Sequence, residues 1–409
     1  MWTRALDMAL GKAVQIGLLT VELPGGTVLT FGDGNGPQVR VSLTDNATVR
    51  HLVINPELAV GESYMNGTLV IENDDLHGLL ELILRNLDDP HRTWWQRAHL
   101  QLRTTFRRFM QHNAGRISVR NVAHHYDLSG ELYELFLDAD RQYSCAYFQS
   151  LDDTLEVAQE QKKAHIARKL RIEPGMRVLD IGCGWGGMGL TLARHHGAQV
   201  LGITLPKEQL AVAQERARAE GLEKQVEFRM TDYRELSGQF DRIVSVGMFE
   251  HVGLPYFDAY FRSVRDLLAP DGVALIHSIG ISEAPCATNP WIAKYIFPGG
   301  YVPSFSEIAA SVERQNLWIA DVESLRLHYA YTLRHWFDRF VANANKVTEL
   351  YDERFVRMWK FYLVACEQTF RLRRQGVFQF QISREVDAVP ITRDYLYSGT
   401  ADAELRAAE

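Results

Sequence analysis

Hydrophobic and polar positions alternate in short runs through residues 15–73, which is the pattern of β-strands that bury one face. Turn residues such as Pro24-Gly25-Gly26 separate the runs. The predicted strands are Leu18–Leu23, Val28–Phe31, Val39–Leu43 and Leu69–Ile71. After them, apolar side chains recur every three or four residues, which predicts a helix over Asp74–Leu87. The pattern therefore predicts a small α+β domain.

Further along the chain, short apolar runs alternate with amphipathic segments. The predicted strands are Arg177–Ile181, Gln199–Ile203, Val226–Met230, Phe240–Val246 and Val273–Ile279, and the predicted helices are Gly187–His195, Lys207–Ala219 and Tyr256–Leu268. Regular βαβ alternation predicts an α/β fold with a doubly wound, mostly parallel sheet. Residues 324–375 are predicted to form a helical insertion, followed by a last strand over Phe378–Ser383.

These patterns divide the 409 residues into a small domain over 1–90, a linker over 91–122 and an α/β domain over 123–409. The formal net charge of −7 argues against a dedicated nucleic-acid-binding protein. Between residues 91 and 120, however, there are seven Arg and no Asp or Glu. This segment is either a solvated helix face or a surface that meets phosphate or lipid, and both interpretations stay open.

Cysteine spacing and hydropathy limit the cellular environment. The four cysteines, Cys145, Cys183, Cys286 and Cys366, include no C-x-x-C pair, so neither a disulfide framework nor a metal site is predicted. No apolar run approaches about 18 residues, and no secretory signal is evident near Met1. We therefore expect a cytoplasmic protein whose membrane contact, if present, is peripheral.

A glycine-rich turn follows the strand Arg177–Ile181. Gly182, Gly184 and Gly187 satisfy G-x-G-x-x-G, but the second strand ends without the acidic residue that a dinucleotide enzyme uses on the ribose. This omission disfavours a nicotinamide cofactor. With Asp180 two residues earlier, the turn instead resembles that of S-adenosylmethionine (SAM) methyltransferases, so SAM is the expected cofactor.

Several other motifs narrow the resemblance. They are Tyr143-Ser144-Cys145-Ala146-Tyr147-Phe148, Met248-Phe249-Glu250-His251-Val252-Gly253, Ile276-His277-Ser278-Ile279-Gly280 and Lys294-Tyr295-Ile296-Phe297-Pro298-Gly299-Gly300. Together with the glycine turn they resemble cyclopropane-fatty-acyl-phospholipid synthases, from about His125 to Tyr397. The amino-terminal region resembles the family's sterol-carrier-like, lipid-binding domain. The resemblance implies transfer of a methylene group from SAM to a cis double bond of a phospholipid acyl chain.

The resemblance also implies a set of site residues. For SAM binding they are Tyr143, Ser144, Asp180, Gly182, Gly184, Gly186, Thr204, Leu205, Gln209, Asp232 and Tyr233. In the family, methyl transfer leaves a carbocation, and a bound bicarbonate removes a proton to close the ring. The implied bicarbonate holders are Cys145, Glu250, His277, the backbone at Ile279, and Tyr329. Without the motif context, Cys145 and His277 are also typical buried core residues.

Two departures from the family pattern bear on the local geometry. Pro206 stands where the family commonly has a small hydroxylated residue, and the family's H-Y-D-x-G-N pattern, here called the H-Y-D motif, appears as His125-Tyr126-Asp127-Leu128-Ser129-Gly130. Alternative functions also stay open at this point. The same carbocation can yield a methyl- or methylene-branched chain, and the fold also suits a non-catalytic lipid-binding protein or an enzyme methylating a soluble metabolite. The expected partner is unsaturated phospholipid in a bilayer, and the resemblance also implies a homodimer.

Overall fold

The computed structural model describes residues 1–87 and 129–397. The first of these ranges forms a four-stranded sheet with the strand order β2-β1-β3-β4, covered by helices. Its elements are α1 (Trp2–Ala13), β1 (Leu18–Glu22), β2 (Val28–Phe31), β3 (Gln38–Leu43), α2 (Asn46–Ile54), α3 (Pro56–Met65), β4 (Leu69–Ile71) and α4 (Leu76–Arg85). The four predicted strands and the predicted helix are confirmed, with ends shifted by one or two residues.

The expectation of strands and turns throughout residues 15–73 is wrong between β3 and β4, where α2 and α3 lie. Helix α3 buries small or polar residues such as Gly61 and Ser63 together with Tyr64, so no regular apolar stripe marks it in the sequence. Helix α2 is started by Asp45, whose carboxylate accepts a hydrogen bond from the Thr48 N–H at 2.7 Å. Helix α1 was not predicted either.

The second range contains a seven-stranded sheet with the order β10-β11-β9-β8-β5-β6-β7. Its elements are α5 (Gly130–Glu134), α6 (Leu155–Leu170), β5 (Arg177–Ile181), α7 (Gly187–His196), β6 (Gln199–Thr204), α8 (Lys207–Ala219), β7 (Val226–Met230), β8 (Phe240–Val246), α9 (Phe257–Leu267), β9 (Leu268–Ile281), α10 (Pro290–Tyr295), α11 (Phe305–Arg314), β10 (Trp318–Ser324), α12 (His328–Ala342), α13 (Ala344–Leu350), α14 (Glu353–Leu372) and β11 (Gln375–Ser383).

Strands β5 to β9 pair in parallel, and β11 runs antiparallel to both of its neighbours, which confirms the predicted α/β fold class. Strand β10 was missed by the sequence analysis. It lies at the edge of the sheet, and none of its residues is fully buried, so it lacks the apolar alternation of a half-buried strand. Helices α12, α13 and α14 lie between the last two strands.

Helix α3 of the amino-terminal part packs against α10 and α14. The Trp291 side chain of α10 is buried, and its indole N–H donates to the Met65 sulfur at 3.2 Å. A Cβ atom on Gly61 would come within 2.5 Å of this indole, so only glycine permits the contact. Nearby, Glu62 accepts hydrogen bonds from Tyr295 at 2.7 Å and from Lys294 at 2.6 Å.

In the described part of the chain, every helix is too short or too polar to cross a membrane. The same residues contain no group of three or more His, Cys, Asp or Glu side chains arranged to hold a metal ion. The arginine-rich segment of residues 91–120 lies outside the described residues, as do the first four residues of the H-Y-D motif.

Replacing Trp291 by Ala should destabilise the protein by about 3 to 5 kcal/mol, because it leaves a cavity between α3 and α14. The free energy of unfolding from guanidinium denaturation measures this loss. Trp318→Ala is the matched control, because this tryptophan is 55% exposed on an edge strand and should cost less than about 1 kcal/mol. Equal losses for the two variants would contradict the assigned packing.

Candidate active site

The glycine turn joins the end of β5 to the start of α7. Gly182 has a φ angle of +83°, and its N–H donates to the Ile203 carbonyl at 2.9 Å, which anchors the turn to β6. A Cβ atom on Gly182 would lie 2.9 Å from Met248, so the turn passes close to the end of β8. The turn therefore opens at the carboxyl ends of the parallel strands, where open α/β sheets bind ligands.

A cavity lies above this turn, bounded by the ends of β5, β6 and β8. Among the residues predicted to bind SAM, ten line it: Tyr143, Ser144, Asp180, Gly182, Gly184, Thr204, Leu205, Gln209, Asp232 and Tyr233. Gly186 lies behind the turn, where its Cβ atom would come within 2.7 Å of the Phe228 ring. Glycine at this position therefore allows α7 to pack closely on the sheet.

Hydrogen bonds fix the polar groups on the β6 and β7 side of the cavity. The Thr204 hydroxyl donates to the Gln209 side-chain oxygen at 3.0 Å, and both residues are buried. The Asp232 carboxylate accepts from Arg234 Nε at 2.8 Å. Although burial opposes it, hydrogen bonding to Arg234 lowers the pKa of Asp232. The cavity therefore presents an ionised carboxylate at this end.

Asp180 provides a second carboxylate at the base of the cavity. Burial raises its pKa to about 7, against the opposing charge of Lys162. Its Oδ2 atom is buried and accepts no hydrogen bond from the described residues. A buried acceptor of this kind is costly unless a ligand or water donates to it. The Asp180 carboxylate, next to the glycine backbone of the turn, therefore suits a ligand that carries amino and hydroxyl donors, as SAM does.

Lys162 of α6 is a site residue that the sequence analysis missed. Its ammonium group is fully buried and donates to the Ser144 hydroxyl at 2.9 Å and to the Gln142 side-chain oxygen at 2.7 Å. Both acceptors line the cavity. Burial lowers the pKa of Lys162 to about 8. The available signal was a lysine on the same helical face as Ala158 and Ile166, where an apolar residue is expected.

Glu250 follows β8 in a single turn of 3₁₀ helix. Its Oε1 atom accepts a hydrogen bond from the Ile279 N–H of β9 at 2.6 Å. Its Oε2 atom is buried and accepts none from the described residues. Burial raises the pKa of this carboxyl group from 4.5 to about 7, and the Ile279 N–H opposes the rise. The backbone at Ile279 thus holds Glu250 in this structure.

The other three residues implied for bicarbonate lie toward α6 and α12. His277 is buried on β9, and its Nδ1 atom lies 3.2 Å from Gln379 Nε2. Cys145 is buried, and its thiol donates to the Ala146 carbonyl at 3.3 Å, while burial raises the pKa of the thiol. Tyr329 is buried in α12, with its ring centroid 4.9 Å from that of Phe370.

An aromatic wall links the cavity to Tyr329. The Tyr143 ring lines the cavity and stacks on Trp336, with the centroids 5.1 Å apart, and Trp336 meets Tyr329 edge to face at 5.7 Å. The hydroxyls of Tyr143 and Tyr362 are 2.8 Å apart. Trp336 and Tyr362 belong to α12 and α14, far along the chain from the glycine turn, so no local pattern predicted that they lie on this side of the cavity.

Comparison with known proteins identifies the family. Residues 114–380 match the family model described as mycolic acid cyclopropane synthetase. The chain belongs to this family. Residues 6–92 match a domain of unknown function. The cyclopropane-fatty-acyl-phospholipid synthase of Escherichia coli K12 is 42% identical over 335 residues, which cover 81% of this chain and 84% of that protein.

Three further proteins are similar to this cyclopropane synthetase family member, and the first two, UfaA1 and MmaA2, come from Mycobacterium tuberculosis. The tuberculostearic acid methyltransferase UfaA1 is 35% identical over a region that covers 88% of this chain and 86% of UfaA1. The structure of the cyclopropane synthase MmaA2 is 32% identical with a TM-score of 0.62, covering 64% of this chain and 97% of that one. A structure of CmaA1 complexed with SAH and CTAB also has a TM-score of 0.62, at 34% identity and the same coverage. The protein is therefore a SAM-dependent methyltransferase, as the sequence predicted.

Replacing Glu250 by Gln should stabilise the protein at neutral pH. Because the folded-state pKa lies above the unfolded one, the glutamate loses stabilisation as pH rises from about 4.5 to about 7, by roughly 3 kcal/mol in total. Thermal unfolding of both proteins across this range measures the difference, which should grow up to about pH 7 and then stay constant. A difference that does not change with pH would mean that the carboxylate is not strained by burial.

Proposed function

We propose that this enzyme transfers a methylene group from SAM to the cis double bond of unsaturated acyl chains in membrane phospholipids, forming a cyclopropane ring. The observation that supports this best is the buried Glu250 carboxylate, which keeps one oxygen without a hydrogen bond beside the cofactor cavity. The E. coli relative, named for the same reaction, is similar over four-fifths of this chain.

An alkene is a weak nucleophile, so the site has to align it and exclude water. SAM supplies an electrophilic methyl group next to a positive sulfur. Of the aromatic wall, the Tyr143 ring lines the cavity, and the buried rings of Trp336 and Tyr362 lie behind it. Aromatic faces attract cations, so the Tyr143 ring suits a transient positive charge on the acyl chain.

Ring closure requires that one proton leave the newly added carbon. In the proposed sequence, a C–C bond forms between the methyl carbon and one alkene carbon while the S–CH₃ bond of SAM breaks and S-adenosylhomocysteine leaves, and the other alkene carbon becomes cationic. A bicarbonate held in the site would then take one proton from the methyl carbon and become carbonic acid, and the freed electron pair would close the ring. The acyl chain gains one CH₂ in total.

The proposed bicarbonate site uses four of the five residues that the family resemblance implies, because the Ile279 N–H already donates to Glu250 Oε1. Glu250 Oε2 would accept from the hydroxyl of the anion, while His277 and Tyr329 would donate to its oxygens. Cys145 is buried next to α12, because the N–H of the neighbouring Ala146 donates to the Thr332 hydroxyl of that helix at 3.0 Å. The donor set of neutral groups around one carboxylate suits a small, monovalent oxyanion.

Branching of the acyl chain is the second candidate product. The relative UfaA1 is named a tuberculostearic acid methyltransferase, and it covers more of this chain than the E. coli protein does. If a chain carbon lost the proton instead, the product would keep a double bond and carry a methyl branch. If a hydride first moved to the cationic carbon and the added carbon then lost the proton, the product would carry a methylene branch. A ring and a methylene branch have the same mass, so proton NMR of the product distinguishes them by the upfield ring signals.

We also propose a role for each of the three parts of the chain. Residues 1–90 would form a lipid-binding domain, 91–122 a basic linker, and 123–409 the catalytic domain, in a cytoplasmic protein that associates peripherally with the membrane as a homodimer. The contacts of α3 with α10 and α14 support close cooperation of the first and third parts. An anionic bilayer would attract the arginines of the linker.

Purified protein incubated with SAM and vesicles of unsaturated phospholipid should yield acyl chains heavier by one CH₂. Glu250→Gln should lower kcat by about 100-fold or more while leaving SAM affinity unchanged, because it removes an acceptor from the reaction site. Mass spectrometry of the lipids and calorimetric titration with SAM measure the two effects. The control is Glu227→Gln, which changes an exposed glutamate on β7 and should keep normal turnover. Unchanged turnover in the Glu250 variant would remove this residue from the mechanism.

Replacing Arg103, Arg107 and Arg108 by Gln should weaken association with anionic vesicles, because each arginine near such a surface contributes about 1 kcal/mol. Co-sedimentation with vesicles containing phosphatidylglycerol measures binding, and neutral vesicles serve as the reference. Equal binding of the variant and the parent protein would indicate that this segment is only a solvated surface.

A further inference from the structure

His277 sits in a chain of buried polar residues that the proposed reaction does not by itself explain. It lies opposite Gln379 in the pairing of β9 with β11. Its Nδ1 atom, 3.2 Å from Gln379 Nε2, makes the one side-chain hydrogen bond that His277 forms with the described residues. A neutral imidazole carries its proton on either Nδ1 or Nε2, and the partner of one nitrogen decides which.

Lys169 of α6 determines how the Gln379 amide is oriented. Its ammonium nitrogen lies 2.8 Å from Gln379 Oε1. An ammonium group has only donors, so the group facing it has to be the carbonyl oxygen of the amide. The reverse orientation would place two donors against each other where both side chains are almost fully buried. The amide NH₂ therefore faces His277, and it can only donate to Nδ1.

Glu323 of β10 keeps Lys169 charged. Its carboxylate forms an ion pair with the Lys169 ammonium and lies 2.6 Å from His165 Nε2. Although burial opposes it, the hydrogen bond from His165 and the charge of Lys169 lower the pKa of Glu323 to about 2. The carboxylate is thus ionised at neutral pH and stabilises the ammonium form of Lys169, which burial alone would disfavour.

We propose that Lys169 and Gln379 are positioning residues that fix His277 as the neutral tautomer with its proton on Nε2. His277 then acts as a hydrogen-bond donor to the reaction-site anion and not as the base that accepts the proton. This inference rests on the proposed function for the role of His277 but not for its tautomer.

The electrostatic surroundings agree with this assignment. Burial, together with the charges of Lys162 and Lys169, holds the pKa of His277 well below its usual range. Protonation of Nδ1 would also place a new donor against the Gln379 NH₂ group. For both reasons a group other than His277 has to accept the proton that ring closure releases. This agrees with the role proposed for the bicarbonate and Glu250.

The direct test is nitrogen NMR of the full-length protein labelled with ¹⁵N in its histidine rings, with His277 assigned by its loss in His277→Gln. The expected spectrum at neutral pH shows an unprotonated Nδ1 and a protonated Nε2. A protonated Nδ1, or a doubly protonated ring, would overturn the proposal. The measurement uses the parent protein, so it does not depend on whether a variant folds.

Variants of the chain give a second readout. In Gln379→Glu both side-chain oxygens accept, so the His277 proton should move to Nδ1, and kcat should fall about tenfold or more with SAM affinity unchanged. Lys169→Arg keeps the donors and should retain the parent tautomer, whereas Lys169→Met should leave a mixture of tautomers. A Gln379→Glu protein in which His277 still carries its proton on Nε2 would contradict the proposal.

The matched control is Gln381→Glu. Gln381 is buried on the same strand and has no hydrogen bond to His277: its side-chain NH₂ donates to the backbone carbonyl of Lys169 at 2.5 Å, and its side-chain oxygen accepts from the Tyr395 hydroxyl at 3.0 Å. Its variant should keep the parent tautomer, and an equal inversion there would show a general effect of added charge. If the parent protein has the expected tautomer but makes no modified lipid, the proposed function fails while the tautomer assignment stands.

Discussion

Charge buried along one face of α6 is the constraint on which the site depends. Lys162, Lys163 and Lys169 are each nearly inaccessible to solvent, and an unpaired buried ammonium group is costly. Each therefore has a partner from a different part of the chain: Ser144 with Gln142, Asp140, and Glu323 with Gln379. Satisfying three ammonium groups at once fixes the loop before α6, and also β10 and β11, around a single helix.

This arrangement links cofactor binding to chemistry. Lys162 holds two residues of the cavity, while Lys169, about two turns further along α6, orients the amide beside His277. Both lysines also lower the pKa of His277. One helix thus sets the geometry of the SAM side and the protonation state on the opposite side. Glu250 is held separately, by the backbone of β9. Its second carboxylate oxygen therefore keeps its acceptor capacity at the carboxyl ends of the parallel strands.

The helices between β10 and β11 complete the site and also carry the amino-terminal part. Helix α14 presents Tyr362 to the cofactor side, and the same helix packs against α3 and α4. Glu367 of α14 is buried between these parts and accepts from Arg334 and His77. Removing any one partner would leave a buried carboxylate less well paired. The amino-terminal sheet is therefore attached to the helices that carry the aromatic wall.

Local sequence patterns determined much of this architecture. The alternation of apolar positions located β5 to β9 within a few residues, and the spacing of Asp180 and the glycines indicated the cofactor turn, because both depend on backbone geometry over a few neighbouring residues. The helices α2 and α3 and the edge strand β10 escaped because their stability comes from packing and not from an apolar stripe. Lys162, Trp336 and Gln379 escaped for a related reason: their function lies in contacts with residues far away in sequence. The sequence alone determined most of the strands, the turn and the family motifs, whereas the tertiary structure decided which buried charges face each other, because pairing in a low-dielectric interior depends on the positions of all the partners at once.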